Sequence, residues 1–263
     1  MRLFFSHSPV SAWIRFLLFL SVCAGVLWRG SERMGYNWHW RALGGYFVVR
    51  GPDGLYPGPL VQGLVVTLEI TLFSLLLSAL IGLVVALLRL SPSRLGRWLA
   101  RGYLEVIRNT PLLVQIFFAY FVMAPILDLG RFTTGVLALS VFEGAYASEI
   151  IRGGIISVDK GQWEAAHSLG LGTGLIYRKI VLPQALRKVL APLASQAVSL
   201  LKDSALVSTI AVYELTMQGR TIIAETFLTF EVWFTVAALY LIMALLLSLV
   251  ADRIERTLTL PGT

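Results

Sequence analysis

The sequence predicts an all-helical (all-α) integral membrane protein. Of its 263 residues, 57% are hydrophobic and 14% charged, where a soluble domain carries about a quarter charged. The charges fall in short blocks. The stretches between them are long enough to cross a hydrocarbon core of about 30 Å, which takes about 20 apolar residues in a helix. These stretches are too long and too evenly apolar for barrel strands, and a helix satisfies its own backbone hydrogen bonds when lipid surrounds it.

Six spans follow in chain order. The first, Ala12–Trp28, comes after Arg2 and Arg15. Trp28, Arg29 and Gly30 make a poor small-residue cleavage site, and Leu20-Ser21-Val22 before Cys23 fits a lipoprotein signal only loosely. The span is therefore expected to stay as an uncleaved helix. Cys23 is the only cysteine, which excludes an intrachain disulfide and a multi-cysteine metal site. Between Arg29 and Pro59, Tyr36, Trp38, Trp40, Tyr46 and Tyr56 stand among Gly and Pro, as rings do that anchor a loop at the membrane surface.

The second span, Leu60–Leu88, carries Glu69 near its outer end. The basic stretch Ser93–Arg108 reads as a helix along the cytoplasmic surface with Trp98 and Tyr103 at headgroup depth. Asn109 or Thr110 then caps the third span, Pro111–Leu127, whose first-turn proline lacks an N–H that the helix does not need there. In the fourth, Phe132–Ile151, Glu143 and Tyr146 lie three residues apart and project to one face.

The connection Arg152–Arg187, about 35 residues, is long for a helical bundle. Gly161-Gln162-Trp163-Glu164-Ala165-Ala166 forms a helix that Gly170, Gly172 and Gly174 break, and Leu175–Val181 forms a second, ended by Pro183. Two short helices projecting from a bundle make a rigid knob suited to a groove in a soluble partner. The fifth span, Val189–Val212, is interrupted by Lys202-Asp203-Ser204, which predicts a broken helix whose freed backbone groups line a cavity. An internal Lys202–Asp203 pair fixing the kink is the alternative reading. The sixth span is Val232–Ala251.

Counting basic residues orients the bundle. One side collects Arg2, Arg15, Arg89, Arg94, Arg97, Arg101, Arg108, Arg152, Lys160, Arg178, Lys179, Arg187, Lys188, Arg253 and Arg256; the other has only Arg29, Arg33, Arg41, Arg50, Arg131 and Arg220. The richer side is expected to be cytoplasmic, with both termini on it. The same placement explains the formal net charge of +7 through lipid headgroups rather than nucleic acid.

The knob carries a specific resemblance. Glu164-Ala165-Ala166, then Gly170, Ile180 and Leu182-Pro183, match in type and spacing the EAA loop of binding-protein-dependent ABC importer permeases. The flanking segments Glu105-Val106-Ile107-Arg108-Asn109-Thr110-Pro111-Leu112-Leu113-Val114-Gln115 and Glu149-Ile150-Ile151-Arg152-Gly153-Gly154-Ile155 resemble the polar amino-acid subfamily. So do Lys160-Gly161-Gln162-Trp163, Leu182-Pro183-Gln184-Ala185-Leu186-Arg187 and Leu201–Ile210. The likeness runs from about Gln62 to Arg256.

That resemblance implies a type I ABC importer permease bundle of about six transmembrane helices in a bacterial inner membrane. Residues 1–59 would hold an N-terminal helix and extracytoplasmic loop, 60–256 the transmembrane domain with its coupling loop at about 152–187, and 257–263 a tail. The expected partners are an ABC ATPase dimer, an identical or paralogous permease, an extracytoplasmic amino-acid-binding protein and a polar amino acid. Gly161, Glu164, Ala165, Ala166, Gly170, Leu182 and Pro183 would couple to the ATPase. No Gly-Lys-Ser/Thr triplet occurs in the chain, so ATP and Mg are expected on the partner. No catalytic residue, cofactor or metal is expected in this one.

Glu69, Gln115, Glu143, Tyr146, Lys202, Asp203 and Ser204 are the candidates for the substrate path, since ionisable groups at bilayer depth face the bundle interior. Glu143 could attract a cationic side chain or the α-ammonium group, or pair with a base on a neighbouring helix. The Ser204-Ala205 pair resembles glutamate/aspartate or broad-range permeases, whereas a buried carboxylate repels an acidic substrate. The reading is therefore polar amino acids: glutamate, aspartate and glutamine, or basic ones. An ion-coupled secondary transporter and a membrane scaffold are the alternatives; the first lacks an inverted repeat here and would leave the knob without a purpose.

Overall fold

The computed structural model describes residues 9–258. Arg2 and the tail beyond Leu258, and the side chains of Arg33 and Arg256, lie outside the described residues. The chain divides at Arg41 into two compact units. The first holds α1 (Pro9–Met34), which exposes Trp13, Leu17 and Phe19 along its length, followed by Trp38 and Trp40 stacked at 5.7 Å.

The second unit opens with the four-residue helix α2 (Gly44–Phe47) and a hairpin of β1 (Val48–Gly51) and β2 (Gly54–Pro57), with Val48 opposite Pro57 and Gly51 opposite Gly54. The sequence reading had an irregular aromatic loop here. Pro52-Asp53 makes the two-residue turn, and Gly54 takes the positive φ of 145° that the reversal needs.

The helices follow: α3 (Pro59–Leu90), α4 (Arg94–Arg108), α5 (Leu112–Phe118), α6 (Ala124–Leu127), α7 (Arg131–Ile156), α8 (Lys160–Ser168), α9 (Thr173–Ile176), α10 (Leu182–Asp203), α11 (Leu215–Thr226) and α12 (Thr229–Leu258). Those matching the first, second, fourth and sixth expected spans are each long and apolar enough to cross a membrane; α4 with α5–α6, bent by 106°, is a fifth candidate.

The α3–α7 pair is the centre of the bundle. Ser74 and Ser140 donate to the carbonyls of Val136 and Ser74 at 3.3 and 3.4 Å, and Gly82 lies against Ala147 and Ser148. Contacts advance together along both chains, so the two helices are parallel, and the α5–α6 segment returns the chain between them. Small residues allow this close approach. Glu143 meets Gln196 and Gly154 meets Val189, which makes α10 antiparallel to α7. The C-terminal ends of α3 and α7 therefore share one end of the bundle with α4 and the knob, and that end gathers most of the basic residues.

Two π turns, Ala119–Met123 and Tyr177–Val181, each precede a proline by two residues. Ala124 and Leu182 donate five residues back, to Ala119 and Tyr177. Pro125 and Pro183 cannot donate, and a proline ring crowds the carbonyl four residues earlier. The wider turn makes room without ending the helix. Pro183 thus does not end the knob's second helix as expected from the sequence: the chain runs from α9 through the turn directly into α10.

Candidate coupling surface and transport path

The knob is built from α8, α9 and the start of α10. Asp159 caps α8, its carboxylate accepting from the Gly161 N–H at 2.7 Å. The helix closes at Gly170, whose φ of 70° is left-handed. Its N–H bonds to the His167 carbonyl at 2.9 Å, and that of Leu171 to Ala166 at 3.2 Å, satisfying carbonyls a helix end leaves open.

Ala166, Ile176 and Val181 point inward and bury against Ile151, Ile155 and Val158 beneath them. The rings of Trp163 and Tyr177 add an edge contact at 5.1 Å. Gly161, Glu164, Ala165 and Gly170 are exposed on the outer side, and Leu169 is 78% exposed. Glu164 makes no ion pair or side-chain hydrogen bond with any described residue. Leu182 and Pro183 are exposed at the head of α10, where with Leu186 and Val189 they line an apolar groove of about 480 Å³. The knob is a firmly attached handle whose exposed surface carries Glu164, the basic Lys160, Arg178 and Lys179, and the apolar Leu169.

The seven substrate-path candidates do not converge on one place. Glu143 is buried at 1% exposure and accepts from the Gln196 side-chain amide, with the Asp203 carboxyl close by; its Oε1 has no hydrogen-bond partner. Its neighbours are thus an amide and a second acid, and of the two alternatives the pairing with a base on a neighbouring helix does not form among the described residues. Ser204 is buried near them, its hydroxyl donating to the Leu201 carbonyl at 2.7 Å.

Lys202 is exposed, and no Lys202–Asp203 ion pair forms among the described residues. The α-helix does end within Lys202-Asp203-Ser204, by narrowing rather than by opening. It stays α-helical through Asp203, then narrows into a 3-10 helix over Ser204–Ile210 that Ala211 ends with a φ of 55°.

Gln115 serves the elbow between α4 and α5, donating to the carbonyls of Ile107 and Thr110 at 2.8 and 3.1 Å. Asn109 and Thr110 turn back to the carbonyls of Glu105 and Val106 at 2.7 and 2.8 Å, so Pro111 itself takes the cap position expected of them. Tyr146 stands apart from Glu143, with the Arg108 guanidinium 5.6 Å above its ring. Tyr103 does not sit at headgroup depth beside Trp98; it turns into the bundle and donates to the Val141 carbonyl at 2.5 Å.

Glu69 is exposed on the face of α3 opposite its packed side. At 1.5 Å per residue the hydrocarbon core spans about 20 residues, and counting back from Arg89 by that length reaches Glu69, at the far boundary of the core.

Two acidic hubs escaped the sequence reading. Glu149 holds Arg89, Arg108 at 3.5 Å and Arg152 at 3.0 Å, tying the ends of α3, α4 and α7 together. Glu214, fully buried, caps α11 by accepting from the N–H groups of Thr216 and Met217, both at 2.9 Å, and takes the Tyr240 hydroxyl at 2.6 Å. An acidic residue just before a helical run was the available signal for Glu214. For Glu149 the i,i+3 spacing to Arg152 was legible, but its clustering with Arg89 and Arg108, 60 and 41 positions away, left no signal.

The chain matches the family described as binding-protein-dependent transport system inner membrane component over residues 78–259. It is 39% identical over 200 residues to the glutamine transport system permease protein GlnP of Escherichia coli K12, covering 75% of this chain and 91% of that one. To the L-cystine transport system permease protein TcyB of Bacillus subtilis 168 it is 40% identical over 198 residues, 74% of this chain and 85% of the relative. A crystal structure of an amino acid ABC transporter superposes with a TM-score of 0.71 at 38% identity, covering 76% of this chain and 94% of that one. The inward-facing MetNI methionine ABC transporter shares the fold alone, with a TM-score of 0.68 at 23% identity over 77% and 97% of the two chains.

Proposed function

Because the chain belongs to the family of binding-protein-dependent transport system inner membrane components, we propose that its α8–α9 knob couples the bundle to a separate ATPase dimer. The protein is the permease subunit of an amino-acid ABC importer. One observation supports the coupling reading above the rest: the knob is fastened to α7 by a buried apolar cluster, yet it leaves the side chains of Glu164 and Leu169 exposed on its outer side. A stiff handle with an exposed outer face transmits displacement, where a loop would absorb it.

On this reading Gly161, Glu164, Ala165 and Gly170 meet the ATPase, Ala166 holds the knob together, and Leu182 and Pro183 carry its movement into α10. ATP and Mg are held by the partner. A second permease, identical or paralogous, completes the translocation path, and an extracytoplasmic binding protein delivers the substrate. The knob end and both termini face the cytoplasm of a bacterial inner membrane, in keeping with the basic residues gathered there.

The substrate is a polar amino acid. The relatives that carry glutamine and cystine favour a neutral polar one, with glutamine first. Of the seven candidates, Glu143, Asp203 and Ser204 are the ones that bring polar groups together inside the bundle. A buried acidic pair suits the α-ammonium group and disfavours a substrate with a free side-chain carboxylate.

The test is uptake into proteoliposomes holding the whole complex and its binding protein, with a panel of labelled amino acids. ATP- and binding-protein-dependent accumulation of glutamine is expected. Accumulation driven by an ion gradient with no ATPase present would overturn the coupling reading.

A further inference from the structure

Helix α4 has three faces where an ordinary amphipathic helix has two. Gly96, Ala100 and Leu104 bury against the bundle. Leu95, Trp98, Leu99 and Val106 form a second face and are exposed, Trp98 by 71%. Arg94, Arg97, Arg101 and Arg108 make a basic third stripe beside it, since residues three, four and seven apart share a side. A helix with exposed large apolar side chains next to an arginine row lies in the plane of a membrane interface.

The basic stripe borders a recess of about 340 Å³ walled by Arg89, Arg101, Glu105, Arg108, Tyr146 and Glu149. Its carboxylates are already engaged. Glu149 is shared among Arg89, Arg108 and Arg152, and Glu105 accepts from the Asn109 side chain at 3.0 Å. Arg101 is left exposed, with no ion pair or hydrogen bond to any described residue. The recess therefore carries surplus positive charge at the depth where headgroups lie, and its rim adjoins an apolar face.

We propose that this recess is a headgroup site for an anionic phospholipid, Arg101 and Arg108 holding the phosphodiester while the Leu95–Trp98–Leu99–Val106 face lies along the acyl chains. Guanidinium forks match phosphate oxygens in pairs. A free phosphate or an amino-acid carboxylate would meet the same arginines, but neither needs an exposed apolar face beside them. The site rests on the membrane location of the chain and not on which amino acid it carries.

The test uses the complete complex in phosphatidylcholine nanodiscs containing a trace of spin-labelled phosphatidylglycerol or spin-labelled phosphatidylcholine. Preferential retention of phosphatidylglycerol is expected for the wild type. It should fall about fivefold in Arg101→Gln, the worth of one basic contact near an anionic surface. It should fall less in Arg101→Lys, which keeps the charge but loses the fork, and persist in Arg94→Gln, which removes a charge of the same stripe outside the recess. No preference in the wild type, or equal losses in Arg101→Gln and Arg94→Gln, would overturn the site. Displacement of the labelled lipid from the wild type by millimolar glycerol 3-phosphate or glutamine would assign the recess to a soluble anion or to an amino acid instead, and so reject it whether or not the variants assemble.

Discussion

Gln196 of α10 donates its side-chain amide to the carboxylate of Glu143 at the middle of α7. This is the polar tie between two antiparallel helices at bilayer depth, and it leaves the other Glu143 oxygen without a partner. Gln196→Leu should cost about 1–3 kcal/mol, the penalty of leaving a buried polar group unsatisfied. A fall of about 2–4 °C in melting temperature per kcal/mol, measured on the solubilised complex, checks it.

Glu143→Gln removes the charge and keeps a hydrogen-bonding side chain in the same space. The complex should assemble with its stability unchanged or raised, because a buried charge without a base is costly. Uptake of neutral and basic amino acids should fall together, because both present the α-ammonium group to the carboxylate. Unchanged uptake of both classes in a competition assay counts against a substrate role for Glu143.

Glu164→Lys should leave the bundle intact, because the side chain is exposed and makes no ion pair or hydrogen bond with any described residue. Substrate-stimulated ATPase activity of the assembled complex should nevertheless drop by about tenfold, the equivalent of 1.4 kcal/mol of lost partner contact. Undiminished stimulation would place the ATPase contact elsewhere.

At Gly170 the backbone, not space, sets the limit. Nothing lies within 4 Å of where a Cβ would stand, but φ is 70°. Gly170→Ala should cost about 1–2 kcal/mol of left-handed strain, and Gly170→Asn less, since Asn tolerates that region. Coupling efficiency, measured as amino acid moved per ATP hydrolysed, should follow the same order.

Gly82 presents the opposite case. A Cβ there would stand 2.7 Å from the Ala147 Cβ and 3.0 Å from the Ser148 nitrogen, so Gly82→Ala forces α3 and α7 apart. Overpacking of this kind costs about 1–3 kcal/mol, to be read as a lower melting temperature and a lower yield of monodisperse complex. Gly102→Ala, with open space around it, is the control expected to show neither.

Helix type and rough extent were legible because they depend on local chemistry. Long apolar runs between charge blocks located α1, α3, α7 and α12 to within about two turns at their ends, and the glycines at 170 and 172 marked the break in the knob, whereas Gly174 falls inside α9. Both π turns were missed: a proline two residues ahead looks like a stop signal from the sequence, and only the widened turn shows that the helix absorbs it. The outer hairpin was missed because its strands are four residues each, too short for an alternating pattern to stand out among aromatic anchors.

The candidate path divides in the same way. Composition alone marks Glu69, Glu143, Lys202 and Asp203 as costly at bilayer depth, since the penalty depends on residue type and position along a span. Which of them share a site depends on helix rotation and on contacts between segments far apart in the chain. Gln196 reaches Glu143 across 53 positions and Arg89 reaches Glu149 across 60. The sequence by itself determined a membrane bundle with a projecting knob, because hydrophobic transfer and backbone hydrogen bonding act along the chain. Only the tertiary structure decided that Glu143 faces Gln196 and Asp203, that Glu69 faces outward and that Glu149 gathers three arginines, because those outcomes follow from how parallel and antiparallel helices pack against one another.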